Sequence, residues 1–206
     1  MGRTGKIIKR VIDMLAVVVI LPLLFLLEVV IAIMIWWSDG RPVFFRQERA
    51  GLKGKPFVLY KFRTMRRDID PFGPSPKDGG DDRLTSVGKA LRASSLDELP
   101  QFWNVLKGDM SLVGPRPLYM AQVEEWNEYQ RQRLLVKPGL TGLAQVRGRG
   151  SLTVEEKLEL DVEYVHKQSI LFDLRIIWET FFSLFQTENI YEKRYSKDQE
   201  TRNMGK

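Results

Sequence analysis

The sequence lacks cysteine entirely and has a single histidine, His166. Without cysteine the chain cannot form a disulfide bond, use a thiolate nucleophile or bind zinc through sulfur. One histidine is also too few for a metal site built from clustered histidines. We therefore expect the chemistry of this protein to depend on carboxylates, arginine, lysine and hydroxyl groups.

Acidic residues are in the minority. The 206 residues include 32 lysines and arginines but 26 aspartates and glutamates, which gives a formal net charge of +6. Such an excess is compatible with nucleic acid, anionic lipid or a small anionic substrate as partner. The five tryptophans and eleven phenylalanines favour a membrane interface, so we expect no nucleic-acid partner. A length of 206 residues fits a single domain with additional segments joined to it.

Long apolar runs are absent except at residues 14–37, where Glu28 is the one charged residue. As a straight helix this segment would extend about 36 Å, enough to cross a hydrocarbon core of about 30 Å. A single spanning helix is therefore one interpretation. Pro22 supports another, because a proline would bend the helix and leave two halves that are each too short to span.

Basic residues flank this segment on both sides: Arg3, Lys6, Lys9 and Arg10 before it, and Arg41, Arg46, Arg49, Lys53 and Lys55 after it. The positive-inside tendency would keep both flanks in the cytoplasm. A re-entrant helix, which enters and leaves through one leaflet, satisfies that tendency. The residues alone leave the spanning and the re-entrant interpretations open.

The remaining sequence predicts a helix-rich α+β fold. A small β-hairpin is predicted from strands at 43–47 and 56–63, joined by a glycine-bearing loop at 49–55. A long polar loop is predicted at 66–82, and a turn with a short strand at 137–146. Helices are predicted at 87–93, 99–107, 118–135, 153–167 and 173–186, and Thr153 and Glu156 resemble a capping box at the start of the fourth. The last of these is apolar enough to lie in a core or on a bilayer.

Two adjacent acids, Asp97 and Glu98, are the strongest candidates for chemistry. Such a pair can hold a divalent metal and attack phosphorus, and Arg116, with a proline on each side, can neutralise phosphate oxygens. Ser95 and Glu98 also match a capping box at the start of a helix. The two interpretations are compatible, because an acid at a helix start is rigidly oriented.

Several blocks, taken in their order along the chain, closely resemble the monotopic phosphoglycosyl transferases, bacterial enzymes that begin glycoconjugate assembly. The blocks are Lys9-Arg10-Val11-Ile12-Asp13, Tyr60-Lys61-Phe62-Arg63-Thr64-Met65, Leu91-Arg92, Ser95-Leu96-Asp97-Glu98-Leu99-Pro100-Gln101, Gly108-Asp109-Met110-Ser111, Gly114-Pro115-Arg116-Pro117 and Pro138-Gly139-Leu140-Thr141-Gly142-Leu143-Ala144-Gln145-Val146. The resemblance extends from about Lys9 to about Asp173. The chain looks like the minimal catalytic form of that family.

The resemblance implies a Mg²⁺-dependent transfer of a phosphosugar from a UDP-sugar to polyprenyl phosphate, with release of UMP. It implies that Asp97 forms a covalent bond to the phosphosugar and also contacts the metal. It implies that Glu98 assists. Further positions implied by the resemblance are the phosphate-binding residues Lys61, Arg92, Arg116 and Arg149, and the supporting residues Asp161 and Asp173. The membrane segment of this family is re-entrant and broken at a Ser-Pro pair. Here the residue before Pro22 is Leu21 instead of serine, so the resemblance does not fix the angle of the bend.

We therefore expect a re-entrant membrane helix at 1–40, a cytoplasmic-face catalytic domain at 41–187 and a polar tail at 188–206. The expected location is the cytoplasmic membrane of a bacterium, in contact with membrane lipid, and a homodimer is allowed. Two alternatives remain. A membrane-bound nucleotide-sugar hydrolase would use water in place of the lipid acceptor. A non-catalytic basic membrane anchor would bind without turnover.

Overall fold

The computed structural model describes residues 1–69, 76 and 78–183, and it has the predicted helix-rich α+β architecture. The elements are helix α1 (Arg3–Asp39), strands β1 (Phe44–Ala50) and β2 (Pro56–Phe62), helices α2 (Ser86–Ala93) and α3 (Gln101–Lys107), strand β3 (Ser111–Val113), helices α4 (Met120–Glu125) and α5 (Glu128–Arg131), strand β4 (Gly139–Thr141), and helices α6 (Leu143–Arg147), α7 (Val154–Lys167) and α8 (Ile170–Ser183). The predicted tail at 188–206 and part of the predicted loop at 66–82 lie outside the described residues.

The apolar segment lies in α1, which is long and apolar enough to cross a membrane by length and composition. Pro22 lies inside this helix, and the helix continues through it. A proline removes one backbone hydrogen bond, while the turns on either side keep theirs. The predicted break at Pro22 is therefore not an interruption between two helices, and a bend there stays a prediction. The path of α1 relative to a bilayer stays a prediction.

One face of α1 packs against the rest of the protein along nearly its whole length. The buried residues of this face are Lys9, Asp13, Val17, Leu24, Glu28, Ile31 and Ile35. They recur at intervals of three, four or seven residues, which places them on one side of the helix. The other side exposes large apolar side chains, such as Val19 and Leu23. Both halves of α1 therefore belong to the same packed unit as the main domain.

The predicted hairpin is confirmed as β1 and β2, with Phe45 opposite Lys61, but β1 extends into the predicted loop and places Arg49 opposite Phe57. Side chains alternate between the two faces of a strand, so these four residues share one face. Phe57 and its neighbour on that face, Leu59, pack in the main hydrophobic core. The hairpin therefore directs Lys61 and Arg49 toward the rest of the domain.

The single helix predicted at 118–135 is wrong. The structure has α4, then α5, then a 3-10 helix at Gln132–Leu135. Trp126 ends α4 in an extended conformation and is buried, with the Arg133 guanidinium 4.8 Å from its ring centre. Asn127 then begins a new helix by accepting a hydrogen bond from the Gln130 amide at 2.9 Å. Burial of the tryptophan and this cap override the helix propensity of the segment.

The strand predicted within 137–146 is shorter than expected. Only Gly139–Thr141 is a strand, β4, which pairs in parallel with β3, and α6 follows directly. The two backbones approach closely at Gly139, where an added Cβ would lie 2.0 Å from the amide nitrogen of Gly114. Glycine is therefore required at Gly139 by this contact with the segment that leads to Arg116.

The other predicted helices are confirmed with shifted ends. The helices predicted at 87–93 and 153–167 are α2 and α7, and Thr153 forms the expected capping box with Glu156. The helix predicted at 99–107 begins at Gln101, because the residues before it form a tight 3-10 turn. The last helix begins at Ile170, ahead of the predicted start, and its predicted end at 186 lies outside the described residues.

A buried polar network holds the first turns of α1 against α8 and β3. The Lys9 ammonium lies 2.6 Å from the Asp173 carboxylate, which also accepts a hydrogen bond from the Tyr164 hydroxyl at 2.7 Å. The Ser111 hydroxyl donates to Asp13 at 2.6 Å. Buried charges are costly unless they are paired and hydrogen-bonded, so this network specifies how α1 docks. Asp173 therefore has a structural role.

A second buried ion pair supports the loop that carries Arg116. The Arg133 guanidinium donates to the Asp161 carboxylate at 2.6 and 3.0 Å and to the backbone carbonyl of Arg116 at 2.6 Å. Burial raises the pKa of Asp161, and the charge of Arg133 acts against that rise. Asp161 thus holds Arg133, and Arg133 holds the backbone at Arg116.

Replacing Asp161 with asparagine leaves the Arg133 guanidinium buried without its counter-charge, so we expect a loss of about 3 kcal/mol in the free energy of unfolding. For a chain of this size that loss lowers the Tm by about 6–12 °C. Glu163→Gln is the matched control, because its ion pair with Lys167 lies on the same helix but is exposed. It should lower the Tm by no more than about 2 °C. Equal Tm values for the two variants in detergent micelles would contradict the assignment.

Candidate active site

The adjacent acids lie on the 3-10 helix Leu96–Glu98, between α2 and α3. Ser95, just before them, has a φ of 58° and makes no side-chain capping hydrogen bond. This left-handed conformation is uncommon for serine and turns the chain sharply at the end of α2. The capping-box interpretation of Ser95 and Glu98 is therefore wrong. The Glu98 carboxylate is instead bound by two cations from other parts of the fold.

Glu98 is held between a lysine and an arginine. The Lys61 ammonium lies 2.7 Å from Oε1 of Glu98, and Nη2 of Arg116 lies 2.6 Å from the same oxygen. Burial alone would raise the pKa of Glu98, but the charges and hydrogen bonds of Arg116 and Lys61 outweigh it and hold the pKa well below its usual range. Glu98 is therefore ionised at neutral pH, and it orients both cations.

Asp97 has a different environment from its neighbour. It is 7% exposed, and among the described residues none donates a hydrogen bond to its carboxylate. Burial raises the pKa of Asp97, and the nearby charge of Glu98 adds to that rise. The charges of Lys61, Arg92 and Arg116 act in the opposite direction without cancelling it. A desolvated carboxylate without hydrogen-bond donors keeps its lone pairs available for a metal ion or for attack on an electrophile.

The two remaining predicted cations also lie in this region. Arg92, in the last turn of α2, donates from Nε to the hydroxyl of Thr64 at 2.9 Å. Arg149 is half-buried and donates to the Ser183 hydroxyl at 3.3 Å. Burial lowers the pKa of Arg149, and the charges of Glu98 and Arg116 also act on it, so its guanidinium is within electrostatic reach of both. The structure therefore brings all four predicted cations around the acidic pair.

Two residues that position the site were missed from the sequence. Thr64, at the end of the hairpin, orients the Arg92 side chain. Arg133 supports the backbone of Arg116 from a segment that the sequence predicted to be a polar-faced helix. Nothing in the neighbouring sequence marks either residue as part of a site, since a threonine after a strand and an arginine in a polar segment are both common. Their roles come from contacts between residues far apart in the chain.

The donor set is compatible with a magnesium ion that arrives with its substrate. Within the described residues there is no cluster of three or more histidine, cysteine, aspartate or glutamate side chains suited to a metal. Mg²⁺ is commonly bound by one or two carboxylates, with substrate phosphates and water supplying the other oxygens. Glu98 is already bound by Lys61 and Arg116, so Asp97 is the carboxylate available as a metal ligand.

Comparison with known proteins identifies the family. A family model described as "Bacterial sugar transferase" matches residues 4–187. The "Uncharacterized sugar transferase EpsL" of Bacillus subtilis is 44% identical over 189 residues, which are 92% of this chain and 93% of that protein. The "UDP-glucose:undecaprenyl-phosphate glucose-1-phosphate transferase" of Caulobacter vibrioides is 43% identical over 195 residues, which are 89% of this chain and 72% of that protein.

A third relative is much longer than this chain. The "Galactosyl transferase CpsE" of Streptococcus agalactiae is 45% identical over 152 residues, which are 68% of this chain but 34% of that protein. All the residues of the candidate site lie within the part of the chain that the family model matches. The match covers nearly the whole sequence, and the protein belongs to the bacterial sugar transferase family.

Proposed function

We propose that the protein transfers a phosphosugar from a UDP-sugar to polyprenyl phosphate, giving polyprenyl diphosphosugar and UMP, through a covalent intermediate on Asp97. The observation that carries this proposal is the contrast between the two acids. Glu98 is ionised and bound by Lys61 and Arg116, while Asp97 is buried without a hydrogen-bond donor among the described residues. The relative from Caulobacter vibrioides, named for a reaction of this type, supports the substrate class.

The charge of the site suits a diphosphate. Among the described residues, Lys61, Arg92, Arg116 and Arg149 contribute four positive charges to the site, whereas Asp97 and Glu98 contribute two negative ones. Phosphoryl transfer depends mainly on positioning and on neutralising charge at the phosphate oxygens. This excess of positive charge would attract a sugar nucleotide, which carries one negative charge on each of its two phosphates.

The proposed reaction consists of two displacements at one phosphorus atom. A carboxylate oxygen of Asp97 attacks the phosphorus that carries the sugar, and the bond from that phosphorus to the bridging oxygen breaks, so that UMP leaves with the bond's electrons. A phosphate oxygen of the lipid then attacks the same phosphorus, and the bond to Asp97 breaks. The Asp97 carboxylate is regenerated, and no water is consumed. A nucleophile on the protein thus avoids bringing two bulky anions together in one step.

Magnesium is the proposed cofactor. When bound, it would withdraw charge from the diphosphate oxygens and stabilise the leaving UMP. Asp97 is the residue proposed to hold it. Lys61 and Arg116, fixed by Glu98, would bind phosphate oxygens from the protein side, and Arg92 would do so from α2. Arg149, from the loop after α6, would complete this set.

The contacts of α1 support a re-entrant path through one leaflet. The Arg10 guanidinium donates to the carbonyls of Val105 and Leu106, and the Trp103 indole donates to Glu28 at 3.1 Å. In a straight helix residues 10 and 28 would be about 27 Å apart, whereas α3, which both contact, is only about 10 Å long. This convergence supports a bend at Pro22, with both ends of α1 on the side of the main domain.

The last helix supports the same placement at the membrane. On α8 most of the exposed side chains are large and apolar, among them Leu171, Leu174, Trp178, Phe181 and Phe182. Tryptophan and phenylalanine at the edge of an apolar helix face are typical of an interfacial helix. The Lys9–Asp173 ion pair joins α8 to the first turns of α1. The two helices would together place the acids close to the lipid headgroups, where a soluble nucleotide and a lipid phosphate can meet.

Replacing Asp97 with asparagine should abolish the release of UMP, by about a thousandfold or more, because the nucleophile is lost. Membrane association should be unchanged, since the substitution leaves α1 and α8 intact. The measurement is UMP formation from a panel of UDP-sugars, with and without polyprenyl phosphate, and Glu163→Gln serves as the control. Undiminished turnover in the asparagine variant would exclude Asp97 as nucleophile. If the wild-type protein releases UMP at the same rate with and without added polyprenyl phosphate, that result would instead indicate a hydrolase.

The raised pKa of Asp97 should be visible in the metal-free protein, because burial desolvates its carboxylate. Without Mg²⁺ or substrate, Asp97 should take up a proton above the range of an ordinary aspartate, whose pKa is 3.8. Glu98 stays ionised there because its pKa is lowered. The measurement is the carboxyl band in infrared difference spectra against Asp97→Asn. A carboxyl signal that appears only below pH 4 in folded protein would contradict this assignment.

The absence of cysteine allows a clean test of the path of α1. Single cysteines replacing Lys6 and Arg41 should both react with a membrane-impermeant maleimide in inverted membrane vesicles, and neither should react in intact spheroplasts. A cysteine at Val19, which is 81% exposed on the apolar face, should react in neither preparation because lipid covers it. Labelling of Lys6→Cys and Arg41→Cys from opposite sides would establish a spanning helix and exclude the re-entrant path.

A further inference from the structure

Arg49 is a cation beside the active site that neither the sequence motifs nor the proposed function uses. It lies on β1, and the amide of its neighbour, Ala50, donates to the carbonyl of Leu118 at 3.0 Å. The Arg49 guanidinium lies 3.6 Å from the centre of the Tyr119 ring. Its Nη2 donates to the Gln47 side chain at 2.6 Å. The hairpin and the segment that follows Arg116 therefore meet at Arg49.

Arg49 has no carboxylate of its own. The partners of its guanidinium in the described residues are the amide oxygen of Gln47 and the side chain of Tyr119, and its Nε is buried with no acceptor among those residues. The charge of Glu98 acts on Arg49, but that carboxylate is already bound by Lys61 and Arg116. Burial lowers the pKa of Arg49; Tyr119 acts against that fall, and the charge of Arg116 adds to it. A partly buried arginine without a carboxylate of its own is costly, and such a group is often completed by an anionic ligand.

The orientation of Arg49 suits a phosphate. Stacking on Tyr119 holds the guanidinium plane, and the bond to Gln47 restricts its rotation in that plane. A planar guanidinium held in this way can donate two parallel hydrogen bonds to phosphate oxygens with little further loss of freedom. Arg49 also shares the inner face of the hairpin with Lys61, which reaches the acidic pair. Both strands of the hairpin thus present a cation toward the site.

We propose that Arg49 is a further phosphate-binding residue of the active site, oriented by Tyr119 and Gln47, which binds phosphate oxygens of a substrate beside Arg116. The inference rests on the proposed function, because the anion is a phosphate of one of its substrates. That phosphate belongs either to the nucleotide or to the lipid. Separate measurements on each substrate distinguish the two sources.

The test compares Arg49→Gln with Arg46→Gln. Arg46 lies on the same strand, three residues earlier, but it is exposed on the other face, near Tyr60. Both variants remove one positive charge, so their difference isolates the position of Arg49. The first measurement is the Kd for UDP with purified protein in lipid nanodiscs, which needs no turnover. The second is the KM for polyprenyl phosphate. The Tm of each variant reports folding.

We expect Arg49→Gln to weaken either the Kd for UDP or the KM for polyprenyl phosphate about tenfold, and Arg46→Gln to change both by less than about twofold. A change in the first assigns the nucleotide phosphate, and a change in the second assigns the lipid phosphate. Both constants within twofold of wild type in a folded Arg49→Gln variant would overturn the proposal.

Arg49→Lys decides the question if Arg49→Gln does not fold. It keeps the charge but loses the planar pair of donors, so we expect one of the two constants to weaken about threefold or more. Wild-type values for both constants in folded Arg49→Lys would then overturn the proposal. Failure of the wild-type protein to bind UDP at all would contradict the proposed function itself. UDP binding without turnover would contradict the proposed reaction, and the Kd for UDP would then decide the Arg49 proposal for the nucleotide phosphate.

Discussion

The ion pairs of Glu98 with Lys61 and Arg116 determine what its neighbour can do. Two adjacent carboxylates in a buried site would both attract the same cations, and each would raise the pKa of the other. Here Glu98 takes the direct contacts, at 2.7 Å to Lys61 and 2.6 Å to Arg116. Asp97 is left desolvated and without a donor among the described residues. One acid thus orients the cations, and the other is available to react.

The cations that surround these acids come from separate parts of the chain, so the site depends on the packing of the whole domain. Lys61 comes from the hairpin, Arg92 from the end of α2, and Arg116 from a loop supported by the buried Arg133–Asp161 pair. The apolar helix α1 is part of the same framework, since its buried face contacts the domain along both halves. The docking of α1 and the geometry of the site are therefore set together.

The sequence predicted correctly those helices and strands that depend on interactions between residues close together in the chain. The alternating hairpin, the capping box at Thr153 and the apolar α1 are all present, because strand alternation, caps and hydrophobicity act over a few residues. The predicted catalytic and phosphate-binding residues also converge, whereas Asp161 and Asp173 support the domain through Arg133 and Lys9. The segment at 118–135 was mispredicted because burial of Trp126 interrupts it. The capping box at Ser95 was mispredicted because Glu98 binds cations that are distant in sequence. Arg133 and Arg49 have no local signal for the same reason.

The central claim is that Asp97 is esterified to phosphorus during turnover. The most direct test is the intact mass of the protein after incubation with Mg²⁺ and a UDP-sugar that it turns over, in the absence of polyprenyl phosphate. The account predicts a mass increase of one phosphosugar, located by fragmentation to the peptide that contains Asp97 and removed by adding the lipid. An unmodified protein under conditions that release UMP, or an adduct at another residue, would contradict it.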